Sequence, residues 1–325
     1  MRLNKVALIS LGILALAGIA AYAGIGPVIQ SLAELKVAGL AIITLVHLPV
    51  IFLMGLAWWC IGRDARRAGI SGFTAARLGR DAVAEILPLS QLGGFLAGAR
   101  LLTRAGVDAA HAAFSLFADL TAEFAAKLIY TLLGLVVLAR LLPESTLLRP
   151  FAIALAVIIA ALLVTVFLYG RFKPSLQRLA AGAVQRLAGS QSSSSTINVF
   201  AYRRLLPSLG IHLLCWLFGA FEAWITLRLM GIGVSGAQAF VIDSLATAFR
   251  SLGFLMPASL GVQEAGYVLI SALFGLSPAT AVAFSLARRA RDIIIGLMGL
   301  LIWQRMEWRS PGVSKASARY SLHSK

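Results

Sequence analysis

Charged residues are scarce in this chain of 325 residues, since Asp, Glu, Lys and Arg together make up only 13% of it. Hydrophobic residues make up 59%, and the mean hydropathy is +0.88. A soluble domain of this length has no core large enough to hide so much apolar surface. The composition therefore excludes an ordinary soluble enzyme or binding domain and indicates a chain whose main solvent is lipid.

The sequence also lacks the patterns that bind metals, nucleotides or redox cofactors. Its two cysteines, Cys60 and Cys215, have no Cys-x-x-Cys spacing, and its four histidines have no metal-ligand spacing. A phosphate-binding glycine loop, a Gly-x-Ser-x-Gly elbow and a His-Glu-x-x-His helix are all missing. We expect packing roles for the cysteines, no cofactor, no metal site and no soluble catalytic machinery.

Long apolar runs without strict alternation predict membrane-spanning helices, because about 20 apolar residues cross the hydrocarbon core as a helix. The predicted fold class is an all-α polytopic membrane protein. The first run resembles a signal peptide, with Arg2 and Lys5 before it and Ala21-Tyr22-Ala23 at its end, but its length favours an uncleaved anchor. We predict six full spans, at about 6–23, 37–61, 112–138, 150–169, 205–229 and 279–303.

Two further apolar stretches, at about 74–102 and 239–275, are interrupted near the middle by proline and glycine. If neither crosses the bilayer completely, both are re-entrant hairpins that enter from opposite faces. Such an inverted repeat lets transporters build a site at the membrane midplane from broken helices. Eight full spans, with each broken stretch split differently, are the alternative.

An internal echo favours duplicated halves. Pro88 and Gly106, at the first broken stretch, return 169 residues later as Pro257 and Gly275 at the second. A Phe-Ser-Leu triplet follows each stretch, with the two triplets 170 residues apart. Chance recurrence of common residues is the alternative. If the echo reflects duplication, the repeat halves lie at about 37–140 and 205–305.

Basic residues are concentrated on one side of the predicted spans. Of 29 Lys and Arg, five lie between Arg63 and Arg80, six in a loop at 171–204 and five in a tail from Arg305 onward. By the positive-inside rule both termini are cytoplasmic. The net charge of +16 reflects this topology and attraction to anionic headgroups, so we expect no nucleic-acid partner. The predicted boundaries are a single membrane domain at 1–308 and a disordered cytoplasmic tail at 309–325.

Several ionisable residues fall at membrane depth, where each costs roughly 2.5 to 3.5 kcal/mol at a helix centre. Asp119, Glu123 and Lys127 are spaced four apart and share one helix face. Mutual neutralisation that only holds helices together is one interpretation of this trio, and a functional site is the other. The last span carries Arg288, Arg289, Arg291 and Asp292, and the rest of the set comprises Glu85, Arg100, Glu222, Asp243, Arg250 and Glu264.

The arginines of the last span need a separate explanation. Positive charge is in excess there, which argues against simple pairing and favours an anionic headgroup or a water-filled cavity. Successive helix positions are about 100° apart, so Arg288 and Arg291 share a face and Arg289 lies beside them. We expect that these three guanidinium groups do not all face lipid.

The segment that begins at Pro257 resembles the Pro-x-x-x-Gly-x-x-Glu signature of the flippase-like superfamily, which includes the membrane region of lysylphosphatidylglycerol synthases. Gly261 and Glu264 supply the other signature positions, and Gln263 lies between them. The wording Leu-Gly-Val-Gln-Glu-Ala-Gly-Tyr, followed by Ser-Leu-Ala-Arg-Arg-Ala-Arg-Asp, is most similar to the hopanoid-biosynthesis-associated membrane proteins.

The first half of the chain is similar to the same superfamily. The pattern runs from Pro88 through Gly93 and Gly94 to Arg100, and then to Asp119. The resemblance thus covers nearly the whole chain. The synthases carry a soluble aminoacyl-transfer domain after the membrane region, whereas this sequence ends shortly after its last predicted span, so the resemblance does not imply synthase activity.

The resemblance implies a lipid translocase in a bacterial inner (plasma) membrane. It would move an amphiphilic lipid between leaflets or deliver it from a cytoplasmic-leaflet enzyme. The headgroup would occupy a cavity between the hairpins, and the lipid would be a hopanoid or an anionic phospholipid. Transport would be passive or ion-coupled. The substrate-binding candidates are Arg100, Asp119, Glu123, Arg250, Gln263, Glu264, Arg288, Arg289, Arg291 and Asp292, and the backbone-break candidates are Pro88, Gly93, Gly94, Pro257 and Gly261.

Two other classes of protein stay open at this point. A membrane-embedded enzyme that modifies a polyprenyl or hopanoid lipid would use the same carboxylates in acid–base roles. A non-transporting scaffold that gathers lipid-synthesis enzymes would tolerate neutralisation of the buried charges as long as the chain folded.

Overall fold

The computed structural model describes most of the helical core of the chain. The described residues are 14, 17–63, 68–86, 90–146, 148–150, 152–154, 156–157, 159–160, 202–252 and 259–308, and none of them lies in a β-strand. The tail predicted at 309–325, nearly all of the basic loop predicted at 171–204 and much of the spans predicted at 6–23 and 150–169 lie outside the described residues.

The helices follow the order of the sequence prediction. Long helices alternate with pairs of shorter ones, so that the order long, short, short, long occurs twice. The bounds are α1 (Ile25–Glu34), α2 (Lys36–Gly62), α3 (Gly69–Ile86), α4 (Ser90–Arg104), α5 (Ala109–Leu141), α6 (Tyr202–Leu229), α7 (Gly236–Leu252), α8 (Val262–Ala272) and α9 (Pro278–Trp308).

Three helices in the described part of the chain are long and apolar enough to cross a membrane: α2, α5 and the 203–229 portion of α6. They coincide with the spans predicted at 37–61, 112–138 and 205–229, which are thereby confirmed as long apolar helices. α9 is continuous over 31 residues and covers the span predicted at 279–303. Its central charges set it apart from the three apolar helices.

Capping and backbone geometry fix where two of these helices begin. α5 starts after Asp108, whose carboxylate accepts hydrogen bonds from the backbone N–H groups of Ala110 and His111, at 3.0 and 3.3 Å. α8 starts after Gly261, where φ is +80°, a conformation that favours glycine. The chain therefore re-enters a helix directly after the second break.

The first broken stretch forms a pair of antiparallel helices, α3 and α4. Gly94 lies against Ala84 near the tip of the pair, and Leu101 lies against Gly79 further from it. A Cβ atom at Gly94 would come within 2.6 Å of the backbone oxygen of Arg80, so glycine allows this close approach. The proline at the break, Pro88, lies outside the described residues.

The second broken stretch forms the corresponding pair, α7 and α8. Gly266 of α8 packs on Phe249 of α7, and Tyr267 reaches Asp243 of the same helix. The break between these helices is also outside the described residues, and it includes Pro257. Both broken stretches are thus helical hairpins.

The two hairpins enter the bundle from opposite ends. Phe73, at the base of the first hairpin, belongs to one apolar cluster with Leu116 near the start of α5 and Trp303 near the end of α9. Ala239, at the base of the second hairpin, belongs to another cluster with Leu138 near the end of α5. Each hairpin base is therefore anchored at a different end of α5.

Each hairpin also packs against the long helix of the other half. α5 crosses α7 where Gly134 lies against Ser244, and α9 crosses α3 where Gly299 lies against Ala82. A Cβ atom at Gly134 would lie 2.0 Å from the Ser244 Oγ atom, so these crossings require a residue without a side chain. α2 and α6 pack on each other as well.

Candidate functional site

A cavity of about 480 Å³ lies inside the bundle. Its wall takes residues from both halves, since every helix from α2 to α9 contributes. Six cations and five carboxylates face the cavity, which makes its wall polar although it is surrounded by apolar helices. These residues are Arg77, Arg80, Lys127, Arg250, Arg288, Arg291, Asp81, Glu85, Glu123, Asp243 and Asp292.

Two arginines of α3 bind the carboxylates of α5 on one side of the cavity. Arg77 donates to both oxygens of Glu123, at 2.9 and 3.0 Å, and Arg80 donates to the same carboxylate at 2.9 Å. Asp119, one turn earlier, lies 3.5 Å from Arg77 Nη1 and 2.9 Å from His212 Nε2. The sequence prediction places both arginines on the cytoplasmic flank of the membrane. In the structure both are buried, because the α5 carboxylates face them.

Four helices meet at the carboxylate of Asp243 on the opposite side. Arg288 of α9 forms an ion pair with it. Its Oδ2 atom accepts a hydrogen bond from the Tyr130 hydroxyl at 2.7 Å, and the Tyr267 hydroxyl lies 3.5 Å from Oδ1. Asp243 is 1% exposed, so these partners supply the hydrogen bonds that a buried carboxylate needs.

The next turn of α9 joins two more helices. Arg291 pairs with Glu222 of α6 and with the adjacent Asp292, whose Oδ1 atom lies 2.6 Å from Arg291 Nη2. The other oxygen of Glu222 lies 2.7 Å from His47 Nδ1 of α2. This network faces the same cavity and holds α2, α6 and α9 together.

Glu264 gives the Gly-x-x-Glu part of the signature a structural explanation. Its Oε2 atom accepts a hydrogen bond from the backbone N–H of Gly261 at 2.8 Å, which caps the start of α8. Its Oε1 atom accepts hydrogen bonds from Ser285 Oγ at 3.1 Å and from Arg289 Nε at 2.6 Å. The carboxylate is fully buried behind the cavity wall, where it fastens α8 to α9.

One ion pair joins the two hairpins near their tips. Arg250 of α7 pairs with Glu85 of α3, and both residues line the cavity. Arg250 Nη1 also lies 4.0 Å from Asp292 Oδ2 of α9. The tips of the two hairpins are therefore linked directly across the interior of the bundle.

The structure brings most of the predicted site residues together. Glu123, Arg250, Gln263, Arg288, Arg291 and Asp292 line the cavity. Asp119, Glu264 and Arg289 lie directly behind its wall and pair with neighbouring side chains, whereas Arg100 is exposed on α4. Each arginine of the last span has a carboxylate partner, because α6, α7 and α8 present carboxylates to α9.

Sequence reasoning left several wall residues out of the candidate site. His47, Trp216 and Tyr267 give no sequence signal, because single polar or aromatic residues in apolar runs are common. Arg77 and Arg80 had a signal, namely two cations one turn apart opposite two carboxylates one turn apart. No group of three or more His, Cys, Asp and Glu side chains that could hold a metal ion occurs among the described residues.

Long apolar helices, two hairpins and a charged interior cavity define a polytopic helical membrane protein with an internal polar site. The chain belongs to the family of the lysylphosphatidylglycerol synthase TM region, whose family model matches residues 6–299. Comparison with curated proteins and with solved structures finds no match. Membership of this family indicates a membrane lipid-related protein, which agrees with the resemblance seen in the sequence.

Proposed function

We propose that this chain is a lipid translocase of flippase type, which moves or delivers an amphiphilic lipid across the bacterial inner membrane. The observation that carries the proposal is the charged cavity of about 480 Å³ within a bundle of apolar helices. A headgroup crosses hydrocarbon only where something replaces its hydration, and charged side chains at this depth can do so. Membership of a membrane lipid-related family supports the same conclusion.

In the proposed mechanism the headgroup occupies the cavity while the tails stay in the surrounding lipid. Arg288 and Arg291 contribute positive potential, and Glu123 and Asp292 accept hydrogen bonds from headgroup hydroxyls. The first candidate lipid is a hopanoid or its polar derivative, because of the resemblance to the hopanoid-biosynthesis-associated branch. The second is an anionic phospholipid.

The proposed architecture is an inverted repeat with two re-entrant hairpins and cytoplasmic termini. Its support is the reciprocal packing, in which α5 contacts the second hairpin and α9 contacts the first. Hairpins that approach from opposite ends suit alternating access, because each can open the cavity to one face.

The test is leaflet exchange in vesicles that contain the purified full chain and headgroup-labelled hopanoid or phosphatidylglycerol. Replacing Arg288 or Arg291 by Gln should slow exchange about tenfold or more, because each change leaves a buried carboxylate uncompensated. Arg291→Lys keeps the charge and should retain more of the rate. Arg140→Gln, at an exposed position near the end of α5, is the matched control and should exchange lipid like the parent chain.

Three results would contradict the proposal. If the parent chain moved neither lipid between leaflets, it would not be a translocase. An unchanged distribution of both lipid classes in cells that lack the gene would favour the scaffold. A change in substrate mass with purified protein, or loss of a modified lipid from such cells, would favour the enzyme. Thermal unfolding in detergent shows whether each variant is folded.

A further inference from the structure

Lys127 of α5 differs from the other cations of the cavity wall. Its ammonium group lies 4.9 Å from the centroid of the Trp216 ring and 3.4 Å from Ser251 Oγ. It forms no ion pair with a carboxylate in the described part of the chain. The arginines on the wall, in contrast, each have a carboxylate partner.

The nearest acidic residue on its own helix forms no ion pair with it. Glu123 is one turn earlier, but both of its oxygens accept hydrogen bonds from Arg77 and one also accepts from Arg80. Asp119, two turns earlier, binds His212. The interpretation of Asp119, Glu123 and Lys127 as a self-neutralising trio therefore fails at Lys127.

An ammonium group at this depth is costly unless something compensates it. The face of an indole ring attracts a cation but carries no net charge, so Trp216 compensates only part of the cost. Tyr130 stacks on Trp216 with ring centroids 5.9 Å apart and holds the indole in place. The arrangement keeps Lys127 at the cavity and leaves its charge for a further partner.

We propose that Lys127 is the centre of an anion subsite, which binds the phosphate group of a phospholipid headgroup inside the cavity. This inference rests on the proposed translocation and narrows its substrate to lipids with an anionic phosphate. The Lys127 ammonium donates hydrogen bonds to the phosphate oxygens. Ser251 and Thr247 of α7 supply hydroxyl groups on the same wall, and Arg250 adds a second cation from the second hairpin.

The subsite joins the two halves of the molecule. Lys127 comes from α5, whereas Ser251 comes from the second hairpin, so a phosphate bound there contacts both. Charge-assisted hydrogen bonds to phosphate are stronger than neutral ones. Loss of the ammonium group should therefore be visible as a loss of affinity for lipids that carry a phosphate.

The experiment measures binding of phosphatidylglycerol to the purified full chain by native mass spectrometry. Diacylglycerol with the same acyl chains is the uncharged probe. Lys127→Gln should weaken phosphatidylglycerol binding about tenfold or more and leave diacylglycerol binding unchanged. Lys127→Arg, which keeps the charge, should restore most of the affinity. Inorganic phosphate is added as a competitor in a parallel arm.

Arg228→Gln is the matched control. Arg228 also lies over a tryptophan ring, 5.6 Å from the centroid of Trp224, but it does not line the cavity. Its loss should leave phosphatidylglycerol binding unchanged. In the absence of lipid, Lys127→Gln should not lower the thermal unfolding midpoint, because none of the described carboxylates forms an ion pair with this charge. It should abolish the increase in midpoint that phosphatidylglycerol gives the parent chain.

Equal phosphatidylglycerol binding by Lys127→Gln and the parent chain would overturn the subsite, as would an equal loss in Arg228→Gln. Lysine-dependent binding of inorganic phosphate without binding of phosphatidylglycerol would support the anion subsite and assign it to the free ion. Lysine-dependent lipid binding without leaflet exchange would support the subsite and overturn the translocase. Exchange of phosphatidylglycerol at the parent rate by Lys127→Gln would overturn the subsite and keep the translocase.

Discussion

The two halves of the bundle carry opposite charges on helices that have the same place in the order of elements. In the first half the cations Arg77 and Arg80 lie on a hairpin helix, and their carboxylate partners lie on the long helix α5. In the second half the carboxylates Asp243 and Glu264 lie on the hairpin helices, and their arginine partners lie on the long helix α9. Both halves fasten hairpin to long helix by ion pairs, so the fold depends on complementarity and not on which element is basic.

The comparison also changes the interpretation of the arginine-rich last span. An excess of one charge within a single segment predicts a ligand only if no other segment carries the opposite charge toward it. Here Asp243 is 45 residues before Arg288 in the sequence and pairs with it in the fold. Among the described cations of the cavity wall, Lys127 has no such partner, and it lies instead on the helix whose own carboxylates bind the first hairpin.

The largest expected effect comes from removing one partner of a buried pair in either half. Glu123→Gln and Glu264→Gln should each destabilise the chain by about 3 to 5 kcal/mol, because each removes one charge of an ion pair that lies largely out of water. Unfolding in detergent measures the loss. Asp81→Asn is the control. The Asp81 side chain contacts Arg77 and Arg80, the partners of Glu123, but it is 39% exposed, so the change should cost under about 1 kcal/mol.

Replacing both members of a pair sharpens the same test. Glu264→Gln combined with Arg289→Gln should cost less than Glu264→Gln alone, since the double change removes both charges of this ion pair. If Asp81→Asn proved as costly as Glu264→Gln, burial would not explain the stability of these pairs, and the likeness between the halves would lose its physical basis.

A smaller effect is expected where each long helix crosses the opposite hairpin. Gly134→Ala and Gly299→Ala should each cost about 1 to 3 kcal/mol, because the added methyl group overlaps α7 in one case and α3 in the other. Gly210→Ala in α6 is the control, since no atom lies within 4 Å of the added carbon. A cost at only one of the two crossings, measured by thermal unfolding, would show that the halves do not pack equivalently.

The single-cysteine variants of a labelling test of topology should change stability least. Single cysteines at Ser71, Ala105, Ala237 or Ala272, in a chain without Cys60 and Cys215, should leave the fold intact because all four positions lie near hairpin bases. The two probes on the first hairpin should react with a membrane-impermeant reagent from the cytoplasmic face, and the two on the second hairpin from the opposite face. Two probes on one hairpin that report different faces would contradict the re-entrant arrangement of that half.

Much of the fold could be predicted from the sequence because lipid imposes a simple rule on length and composition. α2, α5 and α6 are long apolar runs, and both hairpins follow from proline and glycine within apolar stretches. The partner of each buried charge could not be predicted. Arg77 joins Glu123 across 46 residues, and only the packing of two helices decides which carboxylate an arginine meets.

The candidate site was predicted less well than the fold, for a related reason. Glu264 was expected to bind substrate, but its oxygens are taken up by the start of α8, by Ser285 and by Arg289. Trp216 was not expected at all, because one tryptophan in an apolar helix is common in membrane proteins. A cavity is a property of several helices together, and no single segment encodes it.

The ion pair between Arg250 and Glu85 has a mechanical consequence. It ties together two hairpins that enter the bundle from opposite ends, so a force that displaces one hairpin is transmitted to the other while the pair is closed. Asp292 lies 4.0 Å from the same guanidinium group and offers it a second position on α9. We therefore expect displacements of the two hairpins to be coupled while Arg250 pairs with Glu85, and to become independent if Arg250 pairs with Asp292 alone.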